Sequence, residues 1–135
     1  MSPLTRLRRR ASVSLEFALV APILVVLLVG VVEWGVVFAQ EVALIQVVRE
    51  AAHTGARVRR SADPAPNEVA RARVMAALPG AGFQPGDATV LSQVESTASG
   101  FTLRLRVSVD REALFSLVPS SDTLSAETVM RMEDQ

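Results

Sequence analysis

The sequence contains no cysteine and a single histidine, and all 14 of its basic residues are Arg. Without cysteine the chain can form no disulfide and can offer no thiolate to a metal or redox group. The absence of Lys is a compositional bias to which we assign no functional meaning. These absences leave either side of a membrane open as the location of the protein.

Motifs that carry catalysis or metal binding are also missing. The sequence has no phosphate-binding Gly loop, no HExxH motif, and no Asp/Glu cluster typical of a calcium loop. The only histidine, His53, is four residues from both Arg49 and Arg57, which favours a surface position over a general base with a carboxylate partner. We therefore expect a structural protein that has no catalytic activity, cofactor or metal.

The formal net charge of zero hides an uneven distribution of charge. Four of the 14 Arg lie within residues 1–11, so 10 Arg remain against 14 Asp and Glu in the rest of the chain. Nucleic-acid binding requires a clustered basic face for phosphate contacts. The mildly acidic remainder therefore argues against a nucleic-acid partner.

An apolar run follows the basic leader. Residues 17–32 carry no charge, and the run continues to Ala39 with Glu33 as its only ionisable residue. As a helix, these 23 residues would span about 35 Å, against a hydrocarbon core of roughly 30 Å. The alternative of a buried core helix fails because the remaining part of the chain is too small to surround it. The sequence therefore predicts a membrane anchor.

The Arg asymmetry predicts the orientation of this anchor. Positive residues beside an anchor stay in the cytoplasm, so residues 1–11 are expected inside and residues 61–135 outside. Trp34 and Phe38 would then lie near the outer interface, and Pro22 predicts a local kink. A secretory signal peptide, which would give a mature chain starting at Gln40, is disfavoured because the apolar run is too long.

Glu16 stands at the entrance of the apolar run, in the string RRRASVSLEFALVAPILVV, where an isolated charge is costly. The string resembles the class 3 processing signal of type IV prepilins. The resemblance implies a cut between Ala11 and Ser12 by a prepilin peptidase, which places Glu16 fifth and Phe17 sixth in the mature chain. The residue before the cut is usually Gly in such proteins, and Ala11 keeps the small size.

This resemblance implies a role for Glu16. Cutting creates an α-amine at Ser12, which Glu16 of a neighbouring subunit would neutralise in an apolar helical bundle. The alternative from the residues alone is that Glu16 marks the cytoplasmic interface and extends its carboxylate toward water.

Three further stretches resemble the TadE-like pseudopilins of tight-adherence (Flp pilus) systems: Glu33-Trp34-Gly35, residues 48–57 and residues 124–133. The resemblance implies a minor pilin or pseudopilin in the bacterial inner membrane that contributes to assembly of an adhesive Flp-type pilus. Its partners would be the prepilin peptidase, other pilins or pseudopilins, and the pilus assembly machinery. The alternative is a permanently anchored binding module outside the cytoplasm.

The helix is predicted to continue beyond the membrane to about Arg60. Small residues form two pairs in this region, Ala51 with Gly55 and Ala52 with Ala56, a spacing that permits close helix packing. This face would contact either other subunits in an assembly or the protein's own sheet, and the sequence leaves both interpretations open.

A Pro-containing linker over residues 61–66 leads to a second predicted helix. Asn67 is its predicted N-cap and Leu78 its end, and one apolar face is formed by Ala70, Val74, Ala77 and Leu78. A Gly/Pro loop over residues 79–86 follows.

The remaining sequence changes to a period of two. Residues 101–109 alternate as a half-buried strand, residues 88–95 form its hairpin partner, and residues 124–130 give a third strand. Residues 110–121 are predicted to connect the last two strands and to be pinned by Phe115 and Leu117. Arg104 and Arg106 fall on one face, which favours a solvated sheet surface over an anion site.

The predicted fold class is therefore α+β, with a long N-terminal transmembrane helix extending into a small antiparallel β-sheet domain that has one additional helix, as in pilins. The predicted organisation is a cytoplasmic leader (1–11), a transmembrane and extended helix (12–60), and an extracytoplasmic α+β domain (61–135).

Overall fold

One long helix dominates the computed structural model, which describes residues 3–98, 100–111 and 122–132, with side chains from residue 14. This helix, α1 (Pro3–Ala56), runs without interruption through Pro22. In the described part of the chain it is the one helix long and apolar enough to cross a membrane. Most of its large apolar side chains between Leu15 and Phe38 are exposed, as lipid contact requires. The helix indicates a single-pass membrane anchor.

Three strands form an antiparallel sheet in the order β1-β2-β3: β1 (Ala88–Thr97), β2 (Gly100–Asp110) and β3 (Thr123–Arg131). The alternation of β2 places Leu103, Leu105, Val107 and Val109 on the buried face. Leu103 lies opposite Val94 in β1 and Met130 in β3, so the three strands contribute to one apolar surface. The predicted strands and the α+β fold class are confirmed.

Two helices cover this apolar surface. The end of α1 outside the anchor packs on it beside α2 (Pro66–Ala77), which continues into a 3-10 turn (Leu78–Ala81) and, after Gln84, a second one (Pro85–Asp87). The helical residues of the core are Leu44, Val48, Ala51, Ala52, Ala70, Val74 and Leu78. The first part of α1 forms the anchor and its last part packs in this core, so one continuous helix joins the two regions.

Three details of the helices differ from the sequence predictions. The first helix ends at Ala56 and not near Arg60, because the chain tightens into a turn in which the Val58 N–H donates to the Gly55 carbonyl (3.1 Å). Asn67 is not the N-cap of α2. That position is Ala65, whose N–H donates to Glu68 Oε2 (3.4 Å), and Pro66, with its fixed φ, takes the first helical position.

The end of α2 also differs slightly, since Leu78 opens the 3-10 turn instead of closing the helix. Of its predicted apolar face, Ala70, Val74 and Leu78 are buried and Ala77 is partly buried. The predicted pinning of the β2–β3 connection by Phe115 and Leu117 lies outside the described residues.

Candidate functional site

The predicted processing site lies in the first turns of α1. Ala11, Ser12, Glu16 and Phe17 are all helical, and the side chains of Glu16 and Phe17 are exposed. Ser12 and Glu16 are separated by four residues, so Glu16 lies about one turn, or 6 Å, further along the helix axis. A carboxylate is therefore carried on the outer surface of the helix where the uncharged run begins.

The end of the anchor nearer to the sheet domain carries Glu33, Trp34 and Phe38. Trp34 and Phe38 are exposed, but the Glu33 side chain is only 1% exposed. The sequence did not predict this burial. The run is apolar on every side, so its pattern contains no signal for which face of the helix is covered.

The small residues of α1 pack inside the protein's own domain. Ala51, Ala52 and Ala56 are buried. A Cβ placed on Gly55 would lie 2.7 Å from the Pro66 carbonyl oxygen and 2.8 Å from both Ala70 Cβ and Leu103 Cδ2. Of the two interpretations left open by the sequence, the structure therefore shows packing on the protein's own sheet and second helix.

The outer face of the sheet, turned away from both helices, carries a network centred on Arg104. Its Nε is 3.0 Å from Glu95 Oε1 in β1, and its Nη1 donates to Glu127 Oε1 in β3 (2.7 Å). The hydrogen bond to Glu95, and then that to Glu127, raise the pKa of Arg104 above its ordinary value. One side chain of the central strand thus links all three strands.

Arg106 occupies the same face with a different environment. It lies directly opposite Leu91 in β1 and Glu127 in β3. Within the described residues, however, Glu127 is paired with Arg104, and no carboxylate forms an ion pair with Arg106. The alternation of β2 predicts that both Arg point outward, but not which of them takes the carboxylates.

His53 is exposed on α1. In the ranges that the structure describes, no group of three or more His, Asp or Glu is arranged to hold a metal ion.

Two further contacts hold the elements together. Glu50 of α1 pairs with Arg73 of α2, and the Arg60 guanidinium lies 4.0 Å from the centre of the Phe101 ring.

Residues 11–53 match the model of a protein family described as TadE-like protein. The anchor helix of this chain is TadE-like. The match begins at Ala11 and covers Glu16, the Glu33-Trp34-Gly35 triplet and the first part of the 48–57 stretch, so the resemblance seen in the sequence is confirmed over this segment. The family match associates the protein with a Tad pilus system in the membrane. No curated protein and no solved structure matches the chain.

The TadE-like segment coincides with most of α1. It includes the whole anchor and extends to His53, where α1 already packs on the sheet. The part of the fold that the family match describes is therefore the helix that joins the membrane anchor to the sheet domain.

Proposed function

We propose that this protein is a TadE-like minor pilin or pseudopilin. It is inserted in the bacterial inner membrane with residues 1–11 in the cytoplasm and the sheet domain outside. A prepilin peptidase cuts it between Ala11 and Ser12, and the mature chain contributes to assembly of an adhesive Flp-type pilus.

The observation that carries this proposal is the position of the family match. It begins at Ala11, the residue before the proposed cut, and leaves the Arg-rich stretch outside. Residues 1–10 contain four Arg and no acidic residue. A leader that is discarded needs only to hold the N-terminus in the cytoplasm, and this composition serves that purpose.

The position of Glu16 supports the same proposal. A carboxylate at the start of an apolar membrane helix costs a few kcal/mol unless it is paired. The cut creates a positive amine at Ser12, and two apolar helices side by side bring the amine of one subunit to Glu16 of the other. The amine and the carboxylate then form one charge pair within the apolar bundle.

The fold supports a division of roles within the proposed function. α1 acts as membrane span and packing element, and the sheet domain provides contacts with partners. We also propose that the protein is not an enzyme, and that cleavage is performed by another protein resembling the aspartate-based prepilin peptidases.

Mass spectrometry of the N-terminus of protein extracted from bacterial membranes tests the proposal. The expected mature chain starts at Ser12 in cells that contain the peptidase, and at the uncut N-terminus in cells that lack it. Ala11→Leu should reduce the cut because the residue before it is no longer small, and Ala11→Gly is the matched control that should retain it.

Two results would contradict the proposal. An uncut chain that fully supports pilus assembly would identify a permanently anchored binding module. A mature chain that starts at Gln40 would identify a secreted domain released by a signal peptidase.

A further inference from the structure

The described residues contain two large exposed apolar side chains outside α1, Leu91 (56% exposed) and Val129 (51% exposed). Both lie on the outer face of the sheet, Leu91 on β1 and Val129 on β3. The exposed apolar side chains of α1 belong to the membrane anchor or lie just beyond its end. Leu91 and Val129 lie far from the anchor in sequence, on a sheet face that is otherwise polar. Protein interfaces combine apolar contacts with polar groups around them, and these two side chains offer such contacts on an otherwise charged face.

The strand register places these two side chains on either side of the central arginines. Leu91 lies opposite Arg106, and Val129 lies opposite Arg104. Two strand spacings and a shift of two residues separate them by roughly 12 Å. Arg104 and Arg106 therefore lie between two apolar side chains, with Glu127 beside them, and we call this surface the Leu91–Val129 diagonal.

Arg104 and Arg106 share the centre of the diagonal with two carboxylates, but both carboxylates pair with Arg104, so Arg106 is the arginine available to bind a further carboxylate. Arg104 holds both Glu95 and Glu127, whereas no ion pair involves Arg106 in the described residues. A shallow hollow of ≈ 170 Å³ lies at this place and is lined by Leu91, Gln93, Arg104, Arg106 and Glu127. A guanidinium beside an apolar side chain matches a carboxylate that is itself flanked by apolar groups.

We propose that the Leu91–Val129 diagonal binds an extended acidic segment of a partner protein, with the pattern apolar-x-acidic-x-apolar. In an extended chain, side chains at i and i+4 are about 13 Å apart on one face, close to the separation of Leu91 and Val129. The side chain at i+2 then lies over the central strand, within reach of Arg106. This inference deepens the proposed function, on which it rests, by naming the surface through which the outer domain meets an assembly partner.

The test uses the full chain in detergent micelles and the peptide Ac-Leu-Thr-Glu-Thr-Leu-NH2, followed by NMR of the arginine Nε–H signals. We expect saturable binding that shifts the Arg106 signal. The matched peptide with Gln in place of Glu should bind at least about fivefold more weakly, because it lacks the charge that Arg106 recognises. Equal binding of the two peptides would overturn the proposal.

Variants of the protein separate the diagonal from the rest of the face. Arg106→Gln should weaken binding of the Glu peptide at least about fivefold. Leu91→Thr should weaken binding of both the Glu and the Gln peptide. Arg131→Gln, which removes an arginine from the same face beyond the diagonal, should leave binding unchanged. If Arg131→Gln weakens binding as much as Arg106→Gln does, the attraction is general to the face and the proposal is wrong.

The outcome is distinguishable from that of the proposed function. A chain that is cut before Ser12 but does not distinguish the two peptides contradicts only the inference about the diagonal. A chain that binds the Glu peptide through Arg106 but is never cut contradicts only the assignment as a processed pilin.

Discussion

Gly55 of α1 lies directly against Pro66, the first residue of α2, so that a Cβ on Gly55 would be 2.7 Å from the Pro66 carbonyl oxygen. Ala70 of α2 and Leu103 of β2 approach the same point from other directions. Gly55 is therefore where both helices and the sheet meet, and its lack of a side chain allows α2 to pack beside α1.

Replacing this glycine should loosen the packing. Gly55→Ala places a methyl group against backbone, and overpacking of this kind costs about 1–3 kcal/mol, more than the roughly 1 kcal/mol that Ala gains in helix propensity. Thermal unfolding of the detergent-solubilised protein measures the loss. Gly35→Ala is the control in the same helix, because nothing lies within 4 Å of the added Cβ. Equal stability of the two variants would contradict the close approach.

Leu105 is fully buried between the sheet and the helices. Leu105→Ala should lower the free energy of unfolding by about 2–5 kcal/mol through lost burial and the cavity that remains. Leu91→Ala is the matched control, since Leu91 is exposed on the opposite face of the same sheet. Chemical denaturation of both variants measures the difference, and a large loss in Leu91→Ala would show that the assignment of the two faces is wrong.

Arg104 should stabilise the sheet more than Arg106 does. Arg104→Gln removes the ion pairs that link β2 to β1 and β3, so we expect a small decrease in melting temperature, whereas Arg106→Gln should leave the melting temperature nearly unchanged. The network is exposed, so the difference should shrink in about 1 M salt.

The pH dependence of this effect follows from the direction of the pKa shift. The pKa of Arg104 is raised, so its stabilising contribution is fully present below its ordinary pKa and is lost only as the pH rises through the higher folded value. The difference between the protein and Arg104→Gln should therefore be constant between about pH 6 and pH 9. A marked decrease in that interval would show that another group controls the network.

Glu16→Ala should impair pilus assembly, because the Ser12 amine then has no carboxylate to neutralise it in the apolar bundle. The measurement is the number of pili per cell by electron microscopy, with membrane levels of the protein checked in parallel. Glu41→Ala is the control for losing an exposed carboxylate elsewhere on α1, and assembly should continue in that variant. Normal assembly by Glu16→Ala would rule out the proposed charge pair.

The elements that the sequence predicts well are those with a strong period. The alternation from Phe101 to Val109 determines both the strand and its buried face, and the uncharged run from Phe17 determines the anchor. The N-terminus of α2 was harder to predict, because Asn67 has the side chain preferred at an N-cap. Pro66 precedes it, however, and its restricted φ suits the first helical position, which moves the cap back to Ala65.

Features that depend on tertiary contact could not be predicted. Ala51 and Gly55 have the same spacing whether they contact another subunit or their own sheet, so only the structure distinguishes the two. The pairing of Glu127 with Arg104 could not be predicted either. Glu127 lies directly opposite Arg106 in the strand register, but it pairs with Arg104, which is diagonal to it. The burial of Glu33 also has no signal in a helix that is apolar all round.

The unbroken passage of α1 from the anchor into the core has a mechanical consequence. With Leu44 and Val48 already in the core a few residues beyond the apolar run, the domain is not suspended on a flexible tether. Each residue of an α-helix advances the side-chain direction by about 100°. The rotation of α1 about its axis in the bilayer therefore also determines the direction in which the sheet faces. A rotation of the membrane end of α1, or a pull on it, would therefore be transmitted directly to the sheet.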